Sequence, residues 1–202
     1  MRDTKERILN EALSLFSVKG YDGVSMSDIA GAVGIKAASI YKHYSGKEDI
    51  FHTIVRSFEE KTDSIFHPEL LENSQYMDSS PEMLVRLIQH TFQLYASDPF
   101  LSKCRRLFMI SSFGRPETGQ LYAKYFITTP LQYQSGIFAA IQKTKASKEL
   151  YSPGKDPFIM AYHFYTPILI LLQEYDYKNV TLEKALKQIE LLVTQFAEVY
   201  GL

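Results

Sequence analysis

Residues 25–51 have the sequence SMSDIAGAVGIKAASIYKHYSGKEDIF, which carries a clear structural pattern. It contains two short helical patterns that are separated by a single glycine, Gly34. Isolated helices shorter than about 12–15 residues are only marginally stable in water, so helices this short must be held by their neighbours. The stretch therefore predicts part of a small tri-helical unit that continues upstream.

The segment before residue 25 supplies the missing helix. Its apolar residues recur at helical spacing and form one stripe: Ile8, Leu9, Ala12, Leu13 and Phe16. We expect this helix to begin with a capping box of Asp3 and Glu6 and to end at KGYDG, residues 19–23. The same reasoning predicts helix starts at Ser25 with Asp28 and at Ser45 with Glu48.

The two short helices have one apolar and one polar face. The first helix would bury Ile29, Ala30 and Val33, and the second would bury Ile35, Ile40 and Tyr44. Gly34 would make the turn between them, because glycine adopts positive φ without steric cost. From Lys36 to Lys47 there are three lysines, one histidine and no acidic residue. This pattern is typical of a helix-turn-helix, whose second helix enters the major groove.

Residues 4–51 resemble the TetR/AcrR family of transcriptional regulators. The resemblance rests on residues that occur in the family's order: Phe16, Gly20-Tyr21, Ser25, Ile29-Ala30, Gly34-Ile35, Ile40-Tyr41, His43-Tyr44 and Lys47-Glu48. It implies that Ser25, Met26 and Ser27 lie beside the DNA backbone. It also implies that Lys36, Ala37, Ala38 and Ser39 face base edges, while Tyr41, Lys42, His43 and Lys47 bind phosphates.

The chemistry of these side chains agrees with the implied roles. Hydroxyl and ammonium groups suit phosphate oxygens, and small residues permit close approach to thymine methyl groups. Ala37 and Ala38 cannot form bidentate hydrogen bonds with bases. Operator specificity is therefore expected from Lys36, from apolar contacts or from DNA shape.

Composition indicates a folded, soluble, cytoplasmic protein. The chain has 202 residues, of which 46% are hydrophobic and 22% charged, and its formal net charge of −1 makes any nucleic-acid footprint local. The single cysteine, Cys104, excludes an intramolecular disulfide and fits a reducing compartment. The N-terminus lacks a signal-peptide core, and the apolar run at residues 158–172 is shorter than the roughly 20 residues of a membrane span, so no membrane partner is expected.

The remaining sequence is predicted to be helical, which makes the fold all-α. We expect a helix-turn-helix domain at residues 1–47 and a larger effector-binding and dimerisation domain at residues 48–202. Prolines mark helix starts after Ser80 and Asp98. A long helix from about Glu117 to Lys145 is expected to break at residues 128–130, and two final helices are expected near Asp156–Tyr175 and Thr181–Tyr200. Loops are predicted after Phe66 and at residues 145–157.

The larger domain is rich in aromatic residues. Such residues either pack in a hydrophobic core or line a ligand cavity. The resemblance implies an effector pocket here, and a largely apolar small molecule would suit it. The candidate pocket residues are His90, Phe92, Tyr95, Phe108, Tyr122, Tyr125, Phe126, Gln132, Tyr133, His163 and Phe164.

The last two helices carry more apolar surface than one buried face requires. Together with their copies from a second chain they would form a four-helix bundle; the alternative is a core within one chain. A homodimer would place two recognition helices roughly 34–36 Å apart on a near-palindromic operator. The candidate interface residues are Phe158, Tyr162, Tyr165, Leu169, Leu172, Ile189, Val193, Phe196 and Tyr200.

The sequence thus predicts a ligand-responsive regulator of double-stranded DNA, and the resemblance favours a repressor released by its effector. Neither a cofactor nor a metal site is expected. A redox sensor is an alternative, because Cys104 lies between Lys103 and Arg105 and cations lower a thiol pKa. An enzyme has little support, because the chain lacks zinc-protease, phosphate-loop and nucleophile-elbow motifs. An adaptor without DNA binding is disfavoured by the intact Tyr41, His43 and Lys47.

Overall fold

The computed structural model describes residues 2–63, 80–146 and 155–202, and it is helical throughout these ranges without a β-strand. The helices, in chain order, are α1 (Arg2–Lys19), α2 (Met26–Val33), α3 (Ala37–Ile40), α4 (Lys47–Thr62), α5 (Pro81–Ser97), α6 (Pro99–Ser111), α7 (Pro116–Ala123), a π-helical turn (Lys124–Thr128), α8 (Thr129–Ala146), α9 (Pro157–Asp176) and α10 (Leu182–Tyr200). The all-α prediction, with a helix-turn-helix head and further helices, is confirmed.

The described residues form two compact units. The first comprises Met1–Ser64 with Pro99–Ala123, and the second Ile65–Asp98 with Lys124–Leu202. The boundaries of these compact units differ from the predicted division after residue 47, because α4, α6 and α7 belong to the same unit as the N-terminal helices. As a division of function, 1–47 against 48–202 stays a prediction.

In the first unit, α1 packs against α2, α4 and α6. Its core contains the fully buried rings of Phe16, Phe51, Phe58 and Phe108. Phe58 of α4 meets Phe108 of α6 edge-to-face, with ring centroids 5.1 Å apart. This packing holds the short helices of the head that could not be stable alone.

In the second unit, α9 packs against α8 and α10, and α10 against α5. Phe138, Phe164 and Phe196 join these helices, because each ring lies 5.1–5.4 Å from the other two. None of the helices in the described ranges combines the length and the apolarity that crossing a bilayer requires.

Helix starts follow the predicted caps in most cases. Ser80 caps α5 with Pro81 in the first position, and Asp156 and Thr181 cap α9 and α10. The chain stays helical through the break expected at residues 128–130: the π-helical turn ends at Thr128, and Pro130 is the second residue of α8. The loop predicted after Phe66 and most of the linker at 145–157 lie outside the described residues.

Two predicted caps are wrong. Helix α1 begins at Arg2, so Asp3 lies inside the helix rather than before it. Gly46 is the N-cap of α4, and the N–H and hydroxyl of Ser45 donate to Asp49 at 2.9 and 3.3 Å instead of pairing with Glu48. Glu48 is unavailable because its carboxylate accepts from the Arg115 guanidinium, directly before α7.

Candidate DNA-binding site

The start of α2 is fixed by a capping box. The Ser25 hydroxyl accepts from the Asp28 N–H at 3.1 Å, and the Asp28 carboxylate accepts from the Ser25 N–H at 2.8 Å and from its hydroxyl at 2.6 Å. These hydrogen bonds lower the pKa of Asp28, with the Ser25 hydroxyl as the main cause. The predicted cap is confirmed.

Gly34 makes the turn between α2 and α3. Its φ of +76° lies in the left-handed region, which a β-carbon disfavours. The turn is closed by hydrogen bonds from the Gly34 N–H to Gly31 O at 3.2 Å and from the Ile35 N–H to Ala30 O at 3.0 Å. The sequence prediction for this glycine is therefore confirmed.

The recognition helix is shorter than its pattern predicts. Helix α3 ends at Ile40, after which the N–H groups of His43 and Tyr44 both donate to the Ile40 carbonyl, at 2.8 and 3.0 Å. This tighter turn lets both Ile40 and Tyr44 be buried, and the Tyr44 hydroxyl donates to Lys5 O at 3.2 Å. The buried anchors thus determine where regular helix stops.

The predicted DNA contacts from residue 36 to 43 are accessible. Lys36, Ala38, Tyr41 and Lys42 are exposed, and Ala37, Ser39 and His43 are partly exposed. At the start of α2, Ser25 and Ser27 are exposed and Met26 is half-buried. Tyr41 is 57% exposed, so packing in the core does not explain a large aromatic side chain at this position. Contact of these side chains with DNA stays a prediction.

Lys47 differs from the other predicted phosphate ligands, because its ammonium group is already bound within the head. Nζ donates to Tyr21 O at 3.0 Å and to Val24 O at 2.8 Å, and it lies 4.2 Å from the centre of the Tyr21 ring. Lys47 therefore ties the start of α4 to the turn after α1, whatever its further role on DNA.

A charged cluster that the sequence analysis missed anchors α4 to α7. The Arg115 guanidinium donates to Glu48 and, at 2.8 Å, to Glu117, and lies 4.3 and 4.7 Å from the ring centres of Tyr21 and Phe51. The Tyr21 hydroxyl donates to Glu48 Oε2 at 2.5 Å. Arg115 and Glu48 are 67 positions apart, so no local pattern indicates the pair.

The contacts in this cluster change the pKa values of Tyr21 and Glu48. Burial, reinforced by the hydrogen bond to Glu48 and its negative charge, raises the pKa of Tyr21 to about 12. The hydrogen bond from Arg115, then that from Tyr21, lowers the pKa of Glu48. His52 Nε2 also lies 3.4 Å from Glu48 and 3.3 Å from Glu117. Because Arg115 donates to both carboxylates and offsets part of their charge, it competes with a metal ion for these groups.

Replacing Glu48 by glutamine should make the stability of the folded chain depend less on pH in the acidic range. A carboxyl whose pKa is lower in the folded chain stabilises it above the unfolded value, near 4.5, and that contribution is lost as pH falls through the folded value. We expect Glu48→Gln to lower the melting temperature at pH 7 and the difference from wild type to shrink below pH 4.5. Melting curves from pH 7 to 3 test this; a constant difference across that range contradicts it.

The second unit contains a cavity among α5, α8 and α9. Four predicted pocket residues line it: Phe92, Tyr95, Tyr133 and Phe164. Three residues predicted for the dimer interface line it as well: Tyr165, Leu169 and Leu172. Gln134 lines it too, although its neighbour Gln132 was the predicted residue.

The other predicted pocket residues lie elsewhere. His90, Gln132 and His163 are exposed, and the lining of the cavity does not include them. Phe108 and Tyr122 belong to the first unit. Tyr125 and Phe126 are buried behind the cavity wall, where the Phe126 ring meets that of Tyr95 at 5.2 Å. Aromatic content alone did not distinguish wall from core.

The predicted interface residues divide into two groups. Leu172, Ile189, Val193 and Phe196 are buried in the chain's own core, so they offer no surface to a second copy. Phe158 and Tyr162 are exposed, and the half-buried Tyr200 hydrogen-bonds through its hydroxyl to His163 Nδ1. The apolar residues exposed on α9 and α10 include four that the prediction omitted: Ile159, Ile170, Leu191 and Val199.

Cys104 is fully buried in α6. Thiol oxidation requires access and thiolate character, and complete burial opposes both. The redox alternative therefore receives no support from the geometry of the thiol.

Comparisons with known proteins single out the N-terminal region. Residues 8–54 match the family model for bacterial regulatory proteins of the tetR family. The negative transcriptional regulator IcaR of the biofilm operon icaADBC in Staphylococcus epidermidis is 47% identical over 53 residues. That match spans 26% of this chain and 29% of IcaR, so less than a third of the relative is covered.

Solved structures resemble the whole fold. A crystal structure described as a putative TetR-family transcriptional regulator from Mesorhizobium loti has 22% identity and a TM-score of 0.67, covering 100% of this chain and 98% of that one. The complex of SmeT with triclosan has 19% identity and a TM-score of 0.65, with coverage of 98% and 91%. Residues 8–54 therefore form an N-terminal domain that matches the tetR family of bacterial regulatory proteins.

Proposed function

We propose that this chain is a transcriptional repressor that binds a near-palindromic DNA operator as a homodimer and is released by a small, largely apolar effector. One observation carries the proposal: an intact tetR-type head, with its capping box, its Gly34 turn and an accessible Lys36–His43 segment. Repression is favoured because the IcaR relative is a negative regulator.

The head has the chemistry that duplex DNA requires. Lys36 and Lys42 are exposed and flank the exposed Tyr41, so the segment offers two ammonium groups and a phenol to phosphate and base edges. These charges are concentrated on a chain whose net charge is only −1. The absence of catalytic sequence motifs supports a binding protein rather than an enzyme.

Duplex binding is the direct test of this function. We expect a labelled duplex from the DNA upstream of the chain's own gene to bind on the order of a thousandfold more tightly than a scrambled duplex. If 6–10 phosphates are contacted, affinity should fall by roughly 10³–10⁵ between 50 and 200 mM salt. Fluorescence anisotropy measures both. Absence of binding even in dilute salt would refute the proposal.

A groove on the outer side of α9 and α10 supports the homodimer. It is lined by apolar residues including Tyr162, Ile170, Leu191 and Leu192, with Glu174 and Gln195 among the polar ones. Ile170 is 53% and Leu191 64% exposed, although large aliphatic side chains are usually buried. A second copy of these two helices would cover this surface and complete a four-helix bundle.

Placing charge on this surface should separate the dimer. We expect Ile170→Glu with Leu191→Glu to shift the chain from dimer to monomer in size-exclusion chromatography with light scattering, because two carboxylates would be desolvated at the interface. Val18→Glu is a control for added surface charge, since Val18 is 74% exposed on α1 and its replacement should leave the mass unchanged. A dimer that persists in the double variant places the interface elsewhere.

Effector release requires a ligand that prefers the state unable to bind DNA, since only differential affinity shifts such an equilibrium. The cavity among α5, α8 and α9 is the best supported effector site, because it is enclosed by aromatic and aliphatic side chains. The SmeT relative in complex with triclosan supports a small-molecule effector for this chain as well.

A further inference from the structure

The cavity among α5, α8 and α9 has walls without formal charge. Within the described part of the chain, its lining contains no Asp, Glu, Lys, Arg or His. The free space inside is about 50 Å³. One water molecule needs roughly 10–15 Å³ on this scale, so the space holds a few waters, and an effector-sized molecule must displace side chains to enter.

Gln134 is a buried polar side chain at this cavity. Only 7% of its surface is exposed, and its Oε1 has no hydrogen-bond partner among the residues that the structure describes. Two other polar groups of the wall form hydrogen bonds within the chain: the Thr91 hydroxyl donates to Leu87 O at 3.0 Å, and the Tyr165 hydroxyl donates to Phe126 O at 2.9 Å.

An amide in this position is destabilising unless something binds it, because a buried acceptor has lost its hydrogen bonds to water. Leucine or methionine would fill the same volume in an apolar wall without that cost. The combination of an uncharged wall and a buried amide oxygen that has no partner among the described residues therefore indicates which group a ligand brings to the cavity.

We infer that the effector is a neutral, largely apolar molecule whose hydroxyl group hydrogen-bonds to the Gln134 amide. The inference rests on the proposed function for the identity of the cavity as the effector site. A carboxylate or an ammonium group would be buried without a counter-charge, which is strongly unfavourable. A hydroxyl both donates and accepts, so it satisfies the amide in either orientation of the Gln134 side chain.

Calorimetric titration of the full chain with matched probes tests the ligand class. The probes are 4-ethylphenol, ethylbenzene and 4-ethylbenzoate for an aromatic body, and 1-octanol and octanoate for an aliphatic one. We expect at least one alcohol to bind, at least roughly tenfold more tightly than its carboxylate. If 4-ethylphenol binds, it should do so roughly threefold to tenfold more tightly than ethylbenzene.

Variants assign the hydrogen bond to one side chain. Gln134→Leu should reduce the affinity for the alcohol that binds roughly threefold to tenfold, and should abolish any preference for 4-ethylphenol over ethylbenzene. Gln132→Leu is the matched control, because Gln132 is exposed on the same helix and should leave both affinities unchanged. Gln134→Met gives a second apolar replacement should the leucine variant melt early.

The inference is overturned if neither alcohol binds, if a carboxylate binds as tightly as its alcohol, or if the apolar Gln134 variants retain wild-type affinity for the alcohol. Duplex binding by the ligand-free chain, measured separately by anisotropy, distinguishes failure of the proposed regulatory function from failure of this ligand assignment. If the chain binds the alcohol but no DNA, the ligand assignment stands and the proposed regulatory function is refuted.

Discussion

Replacing both Lys36 and Lys42 by alanine should weaken operator binding roughly tenfold to a hundredfold without lowering the melting temperature. Both side chains are exposed, so their removal leaves no cavity and no buried group without a partner. Each lost phosphate contact should also reduce the slope of log affinity against log salt by about 1. Fluorescence anisotropy at several salt concentrations measures both effects.

The control for this variant carries the same change in charge at a different place. Lys184 and Lys187 are exposed on α10, so their double replacement by alanine removes two positive charges from the second unit. We expect it to leave affinity and salt slope near wild type. Equal losses in the two variants would mean that overall charge, rather than the Lys36–His43 segment, governs binding.

Phe108→Ala should lower the melting temperature by on the order of 6–20 °C. Truncating a fully buried phenylalanine costs about 3–5 kcal/mol, and each kcal/mol corresponds to about 2–4 °C in a chain of this size. Phe108 is fully buried against the Phe58 ring, so the surrounding helices would be left with a cavity. Thermal denaturation followed by circular dichroism measures the change.

Phe113→Ala is the matched control, because Phe113 lies close to Phe108 in sequence yet is fully exposed. Its melting temperature should stay within about 1 °C of wild type, as for most exposed substitutions. The pair also distinguishes the core assignment of Phe108 from its predicted place in the effector pocket. A stable Phe108→Ala variant with altered probe binding would restore the pocket assignment.

Sequence reasoning was most successful where the determining contacts are close in the chain. The Ser25–Asp28 capping box spans three positions and the Gly34 turn closes over five, so residue types alone carry the information. The Ser45–Glu48 cap shows the limit of this approach. Its spacing satisfied the same pattern, but the Glu48 carboxylate is held by Arg115, and a long-range ion pair replaced a local hydrogen bond.

The candidate ligand and interface residues were harder to predict, because their roles depend on which way a helix faces. Helix α9 is apolar nearly all round, so its periodicity does not indicate which side meets α8 and which meets solvent. Gln132 and Gln134 differ by two positions, about 200° around a helix, and only the second lines the cavity. Ile189 and Val193 had the apolar character of an interface but are buried in the chain's own core.

Short-range caps, turns and apolar spacing, all readable in the amino-acid sequence, specify the helical class and the head, whose residues 8–54 match the tetR family model. Three other features are visible only in the folded chain: Arg115 ties α7 to α4, Lys47 binds backbone carbonyls, and Gln134 is buried beside a cavity. These features could not be predicted because side-chain burial and pairing depend on helices distant in sequence, whose mutual packing no local pattern encodes.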